Sequence, residues 1–239
     1  MPIWVAAADN GKTDSEDEPS TGERITKIMN GYQSGMRVAF TKLRAAKSPE
    51  ERKEIEMPDG KSAVKAVVNL LESDPKDPVA ERAVVWAARL GMQFPDIFPK
   101  IESLIKDHYT DLEGLENVCF SLSYYGGDTA IGLLDHIIEK SENASAVAAS
   151  LFSMAKIKAE AKEQDEAEKL LERIVKDYPE AKIANRSIAE MAQGQLFEVR
   201  HLAIGKVAPE IEGEKADGSA FKLSDYRGKV VVIDFFGHW

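Results

Sequence analysis

The 239-residue chain holds a single cysteine, Cys119, and four histidines. One thiol excludes an intramolecular disulfide, a Cys-x-x-Cys pair and a cysteine-rich zinc site. His108 and His136 have no partner at ligand spacing, so neither a metal nor a cofactor is expected. No apolar run approaches the roughly 20 residues needed to span a bilayer, so no transmembrane segment is expected. Positive charge is also scarce: 31 Lys and Arg face 41 Asp and Glu, a net charge of −10. That balance argues against nucleic acid as a partner, because phosphate contacts need a basic surface. What the chain does have is 44% apolar residues, enough to exclude wholesale disorder. Its length allows one or two domains and a sizeable core.

Residues 1–21 stand apart. Met1-Pro-Ile-Trp-Val-Ala-Ala-Ala8 is apolar and ends in small residues, and an acidic, Ser-rich stretch runs from Asp9 to Thr21. A basic n-region and a longer apolar stretch are missing, although Ala6-Ala7-Ala8 fits the small-residue end of an export signal. The acidic stretch is expected to be disordered, since it has little apolar surface to offset its chain entropy.

From residue 22 to 201 the pattern is helical. Ile25, Ile28, Met29, Tyr32, Met36 and Phe40 recur at steps of three and four. Ser48-Pro49 carries the signals of a capped helix start, and Met57-Pro58-Asp59-Gly60 and Asp74-Pro75-Lys-Asp-Pro78 are breaks around a helix through Ala63, Val67, Leu70 and Leu71. Beyond Pro78 the helices pair across Phe94-Pro95, Gly126-Gly127-Asp128 and Lys162-Glu-Gln. Leu104-Ile105 to Ile137-Ile138 is a step of 33 residues, and Leu133-Leu134 to Leu170-Leu171 a step of 37. Such periods with a helix–turn–helix unit suggest a tetratricopeptide-like array. Leu151, Met154, Ala155, Ala167, Leu171 and Pro179 fit the consensus positions of that repeat; Lys158 stands where an aromatic is preferred. Stacked repeats expose a concave surface, so a protein partner or self-association is expected on this array. Asp165/Lys169 and Glu172/Lys176 have the spacing of i,i+4 ion pairs.

Cys119 shares one helical face with Leu115 and Leu122 and reads as a buried, inert thiol. A redox-sensing thiol would need an electropositive, exposed setting, and Glu113 and Glu116 are acidic. Asn143-Ala-Ser145 matches the glycosylation sequon, a motif of low specificity.

Composition shifts over residues 202–239. Asp217-Gly218 between two short alternating runs signals a hairpin. Ser224-Asp-Tyr-Arg-Gly228 reads as a capped turn. Lys229-Val-Val-Val-Ile-Asp-Phe-Phe236 is the kind of run expected of a central strand buried on both faces. Only Gly237, His238 and Trp239 follow it, so the expectation is a domain cut at its own core and a strand that is poorly ordered or aggregation-prone.

Together Ile204-Gly-Lys-x-Ala-Pro209, Asp217-Gly218, Lys222-Leu-Ser-Asp-Tyr-Arg-Gly-Lys229 and Val230 to Trp239 closely resemble the start of a redoxin domain. The likeness is to bacterial TlpA-type thiol–disulfide oxidoreductases and the related AhpC/TSA peroxiredoxins of the thioredoxin superfamily. It covers about the last 36 residues. The periodicity gives a mainly α, helical-hairpin (tetratricopeptide-like) array at residues 22–201; the resemblance implies that the incomplete start of an α/β thioredoxin-like domain follows at 202–239. It implies that Trp239 directly precedes the first cysteine of Cys-x-x-Cys, and that Asp234 stands where thioredoxins hold a buried acid that assists proton transfer. Pro209 matches a structural position, and His238 a variable one. The implied chemistry is exchange with protein disulfides and dithiols, outside the cytoplasm, in the periplasm or at a membrane. The sequence as it stands lacks the catalytic cysteines and is expected to be inactive. Two other readings remain: a peroxiredoxin-type thiol peroxidase, against which the Gly-His-Trp ending speaks, and a non-enzymatic helical scaffold with a vestigial redoxin segment.

Overall fold

The computed structural model describes residues 18–125, 127–202 and 204–237. Among them are ten α-helices and two antiparallel two-stranded sheets, so the protein is mainly α-helical. Most of the acidic segment at residues 1–21, the terminal Trp239 and His238 lie outside the described residues. The chain divides into two compact units, Met1–Leu112 and Glu113–Trp239.

The first unit opens with α1 (Thr21–Ala45). Ser20 caps it: the hydroxyl accepts from the Glu23 backbone N–H, while the Glu23 carboxylate accepts from the Ser20 N–H, satisfying two orphan donors reciprocally. The expected Ser48 cap is present, its hydroxyl accepting from Glu51 N–H at the start of the short α2 (Pro49–Lys53). The break at 57–60 ends in a cap as well, because Asp59 accepts from Ser62 N–H and starts α3 (Gly60–Ser73). Next come α4 (Ala80–Gly91) and α5 (Phe98–His108). Helix α3 contacts α1, α4 and α5, and its buried Val64, Val67, Val68, Leu70 and Leu71 form the centre of this unit. Gly91 permits the close approach of α5, since a Cβ there would lie 2.5 Å from Ile101 Cδ1. The Tyr109 hydroxyl donates to the Pro75 carbonyl and ties the end of α5 to the preceding break.

The second unit holds α6 (Leu115–Tyr125), α7 (Gly127–Lys140), α8 (Ala144–Glu160), α9 (Gln164–Asp177) and α10 (Ile188–Phe197). Helix α8 is its axle, in contact with all four others. Every residue from Ala146 to Ala155 is buried. A helix apolar on all sides belongs in an interior, and the run of Ala and Ser lets neighbouring backbones come close. The turn between α8 and α9 contains Lys162 at φ 66°. Leu151, Met154, Ala155, Ala167 and Leu171, the repeat-like positions, are all buried in this hairpin. The ion pairs on α9 differ from the expected ones. Lys169 bonds Glu166 at 2.7 Å rather than Asp165, and Glu172 and Glu168 both hold Arg200. The i,i+4 spacing makes those pairs available, but exposed side chains are free to take other partners: Lys169 takes Glu166, and Arg200 bridges two carboxylates.

A tight hairpin, β1 (Lys182–Ile183) with β2 (Arg186–Ser187), precedes α10; the sequence pattern did not announce it. A single π-helical turn at Glu198–Leu202 continues α10. Beyond it, β3 (Glu212–Glu214) pairs with β4 (Ala220–Lys222) in the register Glu212↔Lys222, Gly213↔Phe221 and Glu214↔Ala220.

Candidate functional site

The C-terminal segment is built from local turns. In the β3–β4 loop the Asp217 carboxylate accepts from the Ser219 N–H at 2.9 Å and its hydroxyl at 2.6 Å, while Gly218 adopts φ +81°. A residue with a Cβ is disfavoured there, which is why Asp-Gly marks such loops. A 3₁₀ turn at Leu223–Tyr226 follows, and Asp225 accepts from the Lys222 N–H at 2.9 Å. The Glu210 carboxylate receives the Ser224 N–H at 2.9 Å, and the Ser224 hydroxyl and backbone together hold its pKa below the ordinary Glu value. Pro209, Glu210, Leu223 and Arg227 line an open hollow of about 200 Å³ here.

The run expected to be a buried central strand does not pair. Residues 230–237 contain no helix or strand, and Val230, Val232, Phe235 and Phe236 are each at least 85% exposed. A strand needs partners for its backbone groups, and among the described residues none of the four strands lies alongside. Asp234, the candidate proton relay, is exposed in this run. Its named companion Trp239 lies outside the described residues.

Cys119 is fully buried on α6, as its neighbours in sequence indicate. Burial pushes its thiol up to about 12, opposed by the nearby Ser150 hydroxyl and aided by the charge of Glu116. The Ser150 hydroxyl completes no hydrogen bond of proper geometry. One turn along α8, Ser153 donates to the Cys119 carbonyl at 2.8 Å. Because the thiolate is the reactive species, this cysteine is inert at neutral pH. Asn143 of the sequon caps α8, its side chain accepting from Ser145 and Ala146 N–H. Among the described residues no group of three or more His, Cys, Asp or Glu side chains could hold a metal ion. No helix among them is long and apolar enough to cross a membrane.

Two open hollows flank α1. One, of about 480 Å³, lies near its start, where Ser20 caps the helix and Asp77 accepts from the Val79 N–H. The other, of about 420 Å³, runs between α1 and α4. Tyr32 and Trp86 meet edge-to-face there, centroids 5.8 Å apart at 80°. Gly60 backs this pair, because a Cβ on it would stand 3.2 Å from the Tyr32 hydroxyl. Arg82 and Arg89 rim the groove, and no Asp or Glu lines it. This face escaped the sequence reading. On α4, Val84 and Ala88 are buried, whereas Val85 and Leu90 are half-exposed and line the groove with Trp86. The signal that could have found it is Arg82, Val85, Trp86 and Arg89 at helical spacing on a single side of α4.

No family model, curated protein or solved structure matches the chain.

Proposed function

We propose that this chain is part of a bacterial thioredoxin-like thiol–disulfide oxidoreductase of the redoxin type, with a tetratricopeptide-like helical region preceding the redox domain. The observation that carries the reading is the ordered set of motifs from Ile204 to Trp239, ending in Asp-Phe-Phe-Gly-His-Trp. The hairpin at Asp217-Gly218 and the capped turn at Leu223–Tyr226 are compatible with it. The helical hairpin of α8 and α9 supports the repeat-like half. In this reading the nucleophile is a thiolate of a Cys-x-x-Cys following Trp239; it attacks a substrate disulfide, and the second thiol resolves the mixed disulfide. Cys119 takes no part, since its thiol is buried and protonated. Asp234 would accept and return the proton of the resolving thiol once the surrounding domain buries it. Protein disulfides and dithiols are the substrates, and an exported, periplasmic or membrane-associated setting goes with them.

The coding sequence after Trp239 is the direct test. A Cys-x-x-Cys there, with insulin reduction that depends on both cysteines, supports the reading; a stop codon sinks it. In the active protein Asp234→Asn slows reduction and shifts its pH profile, whereas full retention of rate at every pH removes the relay role. The non-enzymatic scaffold is favoured by one observation, that no residue among the described part of 204–237 is buried.

A further inference from the structure

The groove between α1 and α4 carries a pattern that packing of the helices does not require. Ala83, Val84, Ala87 and Ala88 turn inward. Arg82, Val85, Trp86 and Arg89 line the opposite, open side. Seven helical residues span about 10 Å along the axis, so two guanidinium groups are rooted that far apart with an indole and an isopropyl group between them. Neither arginine pairs with a carboxylate among the described residues. A cationic, aromatic groove on a chain of net charge −10 is a local inversion of sign. Such an inversion selects an anionic partner. Arginine engages carboxylates in bidentate fashion, and Trp, Tyr and Arg are the side chains that most often dominate binding energy.

We propose that this groove docks an amphipathic helix of a partner protein that presents two carboxylates on either side of an apolar pair. The complementary pattern is an acid at i, apolar side chains at i+3 and i+4, and an acid at i+7. Each acid meets one arginine, and the apolar pair rests on Trp86, Val85 and Tyr32. A helix laid along α4 repeats the same seven-residue spacing, which is why one helix satisfies both ends at once. Single-stranded nucleic acid could stack on Trp86, but the acidic remainder of the chain opposes its phosphates. The inference rests on residues 18–112 alone and is independent of the thiol chemistry proposed above.

The test uses the full chain and a short fluorescein-labelled helical peptide in an Ala/Gln background. The peptide carries Glu, Leu, Phe and Glu at i, i+3, i+4 and i+7, and binding is read by fluorescence anisotropy. Saturable binding is expected, weakened by about tenfold or more when both Glu become Gln, a comparison that needs no protein variant. The double variant Arg82→Glu/Arg89→Glu, both side chains being exposed, loses the Glu peptide and gains the peptide with Lys at those positions. Trp86→Ala weakens both. Equal binding of the Glu and Gln peptides overturns the proposal, as does no saturable binding. Tighter binding of a thymidine oligonucleotide through the same arginines reassigns the groove and also overturns it. So does concentration-dependent dimerisation in sedimentation that the double variant abolishes.

Discussion

Two apolar runs in the second unit meet opposite fates. Ala146 to Ala155 on α8 is buried at every position, whereas Val230 to Phe236 is exposed at every position. The second run is the more hydrophobic by composition, Val, Ile and Phe at every position but Asp234, whereas four Ala and two Ser dilute Val147, Leu151, Phe152 and Met154 in the first. Hydrophobicity therefore does not decide burial by itself. A helix closes its backbone hydrogen bonds within itself and needs only surfaces of complementary shape, which α6, α7, α9 and α10 supply. An extended run must find its hydrogen bonds on neighbouring strands, and the strands present, β1 to β4, are two or three residues long and already paired. The same difference separates a finished core from an unpartnered surface.

The largest test of this contrast strikes the buried run. Leu151 is fully buried at the centre of α8. Leu151→Ala is expected to lower stability by about 2–5 kcal/mol, the lost transfer energy plus that of the remaining cavity. Urea denaturation followed by circular dichroism measures it, and a loss below about 1 kcal/mol would show that α8 is not the axle of its unit.

The next effect probes packing from the other direction, in the first unit. Gly91→Ala places a methyl group 2.5 Å from Ile101 Cδ1 and 3.4 Å from Val64 Cγ1. Alanine has the better helix propensity, but overpacking of this kind costs about 1–3 kcal/mol. A lower melting temperature is expected, and a rise would show that Ile101 yields without strain.

Cys119 adds a pH-dependent term to the buried side of the comparison. Its thiol is pushed from 9.0 up to about 12, chiefly by burial. The folded state thus holds this proton more tightly than the unfolded state. The stability it contributes is whole below pH 9 and declines as pH rises toward about 12. The slope is at most about 1.4 kcal/mol per pH unit. Tyr109, also raised by burial, contributes in the same direction. Cys119→Ala should therefore flatten part of the fall in urea midpoint above pH 9 without abolishing it. Identical slopes in the two proteins would mean that the thiol is not desolvated in the folded state.

The legibility of these features in the sequence follows how local their causes are. Ser48-Pro49 and Asp217-Gly218 were readable because a cap or a positive φ is decided within a few residues. The burial of Cys119 was readable because Leu115 and Leu122 share its helical face. The all-round burial of α8 was not, since small and large apolar residues fall on every side of the helix and its burial depends on four other helices. The choice of Glu166 over Asp165 by Lys169, and the capture of Glu172 by Arg200, follow from side-chain reach and from a residue 28 positions away. The groove beside Trp86 needed the partner helix α1 to be placed before Arg82 and Arg89 acquired meaning. The role of Asp234 was suggested by position alone; the residue is exposed, and none of the four strands among the described residues covers it.

The smallest expected effect falls on the exposed run, and its smallness is informative. Phe235 is 86% exposed and Val232 is 89% exposed. Removing either side chain takes away almost no folded-state contact, so Phe235→Ala is expected to change stability by less than about 0.5 kcal/mol. What should change is association between chains, because an exposed β-branched and aromatic segment is a template for intermolecular strand pairing. Val232→Lys places a charge in the middle of that segment and should slow the growth of light scattering at high protein concentration while leaving the urea midpoint in place. If Phe235→Ala instead lowered stability as much as Leu151→Ala, the run would be packed in solution. Both apolar runs would then belong to cores, and the contrast between self-sufficient helix and unpartnered extended chain would fail at its weaker end.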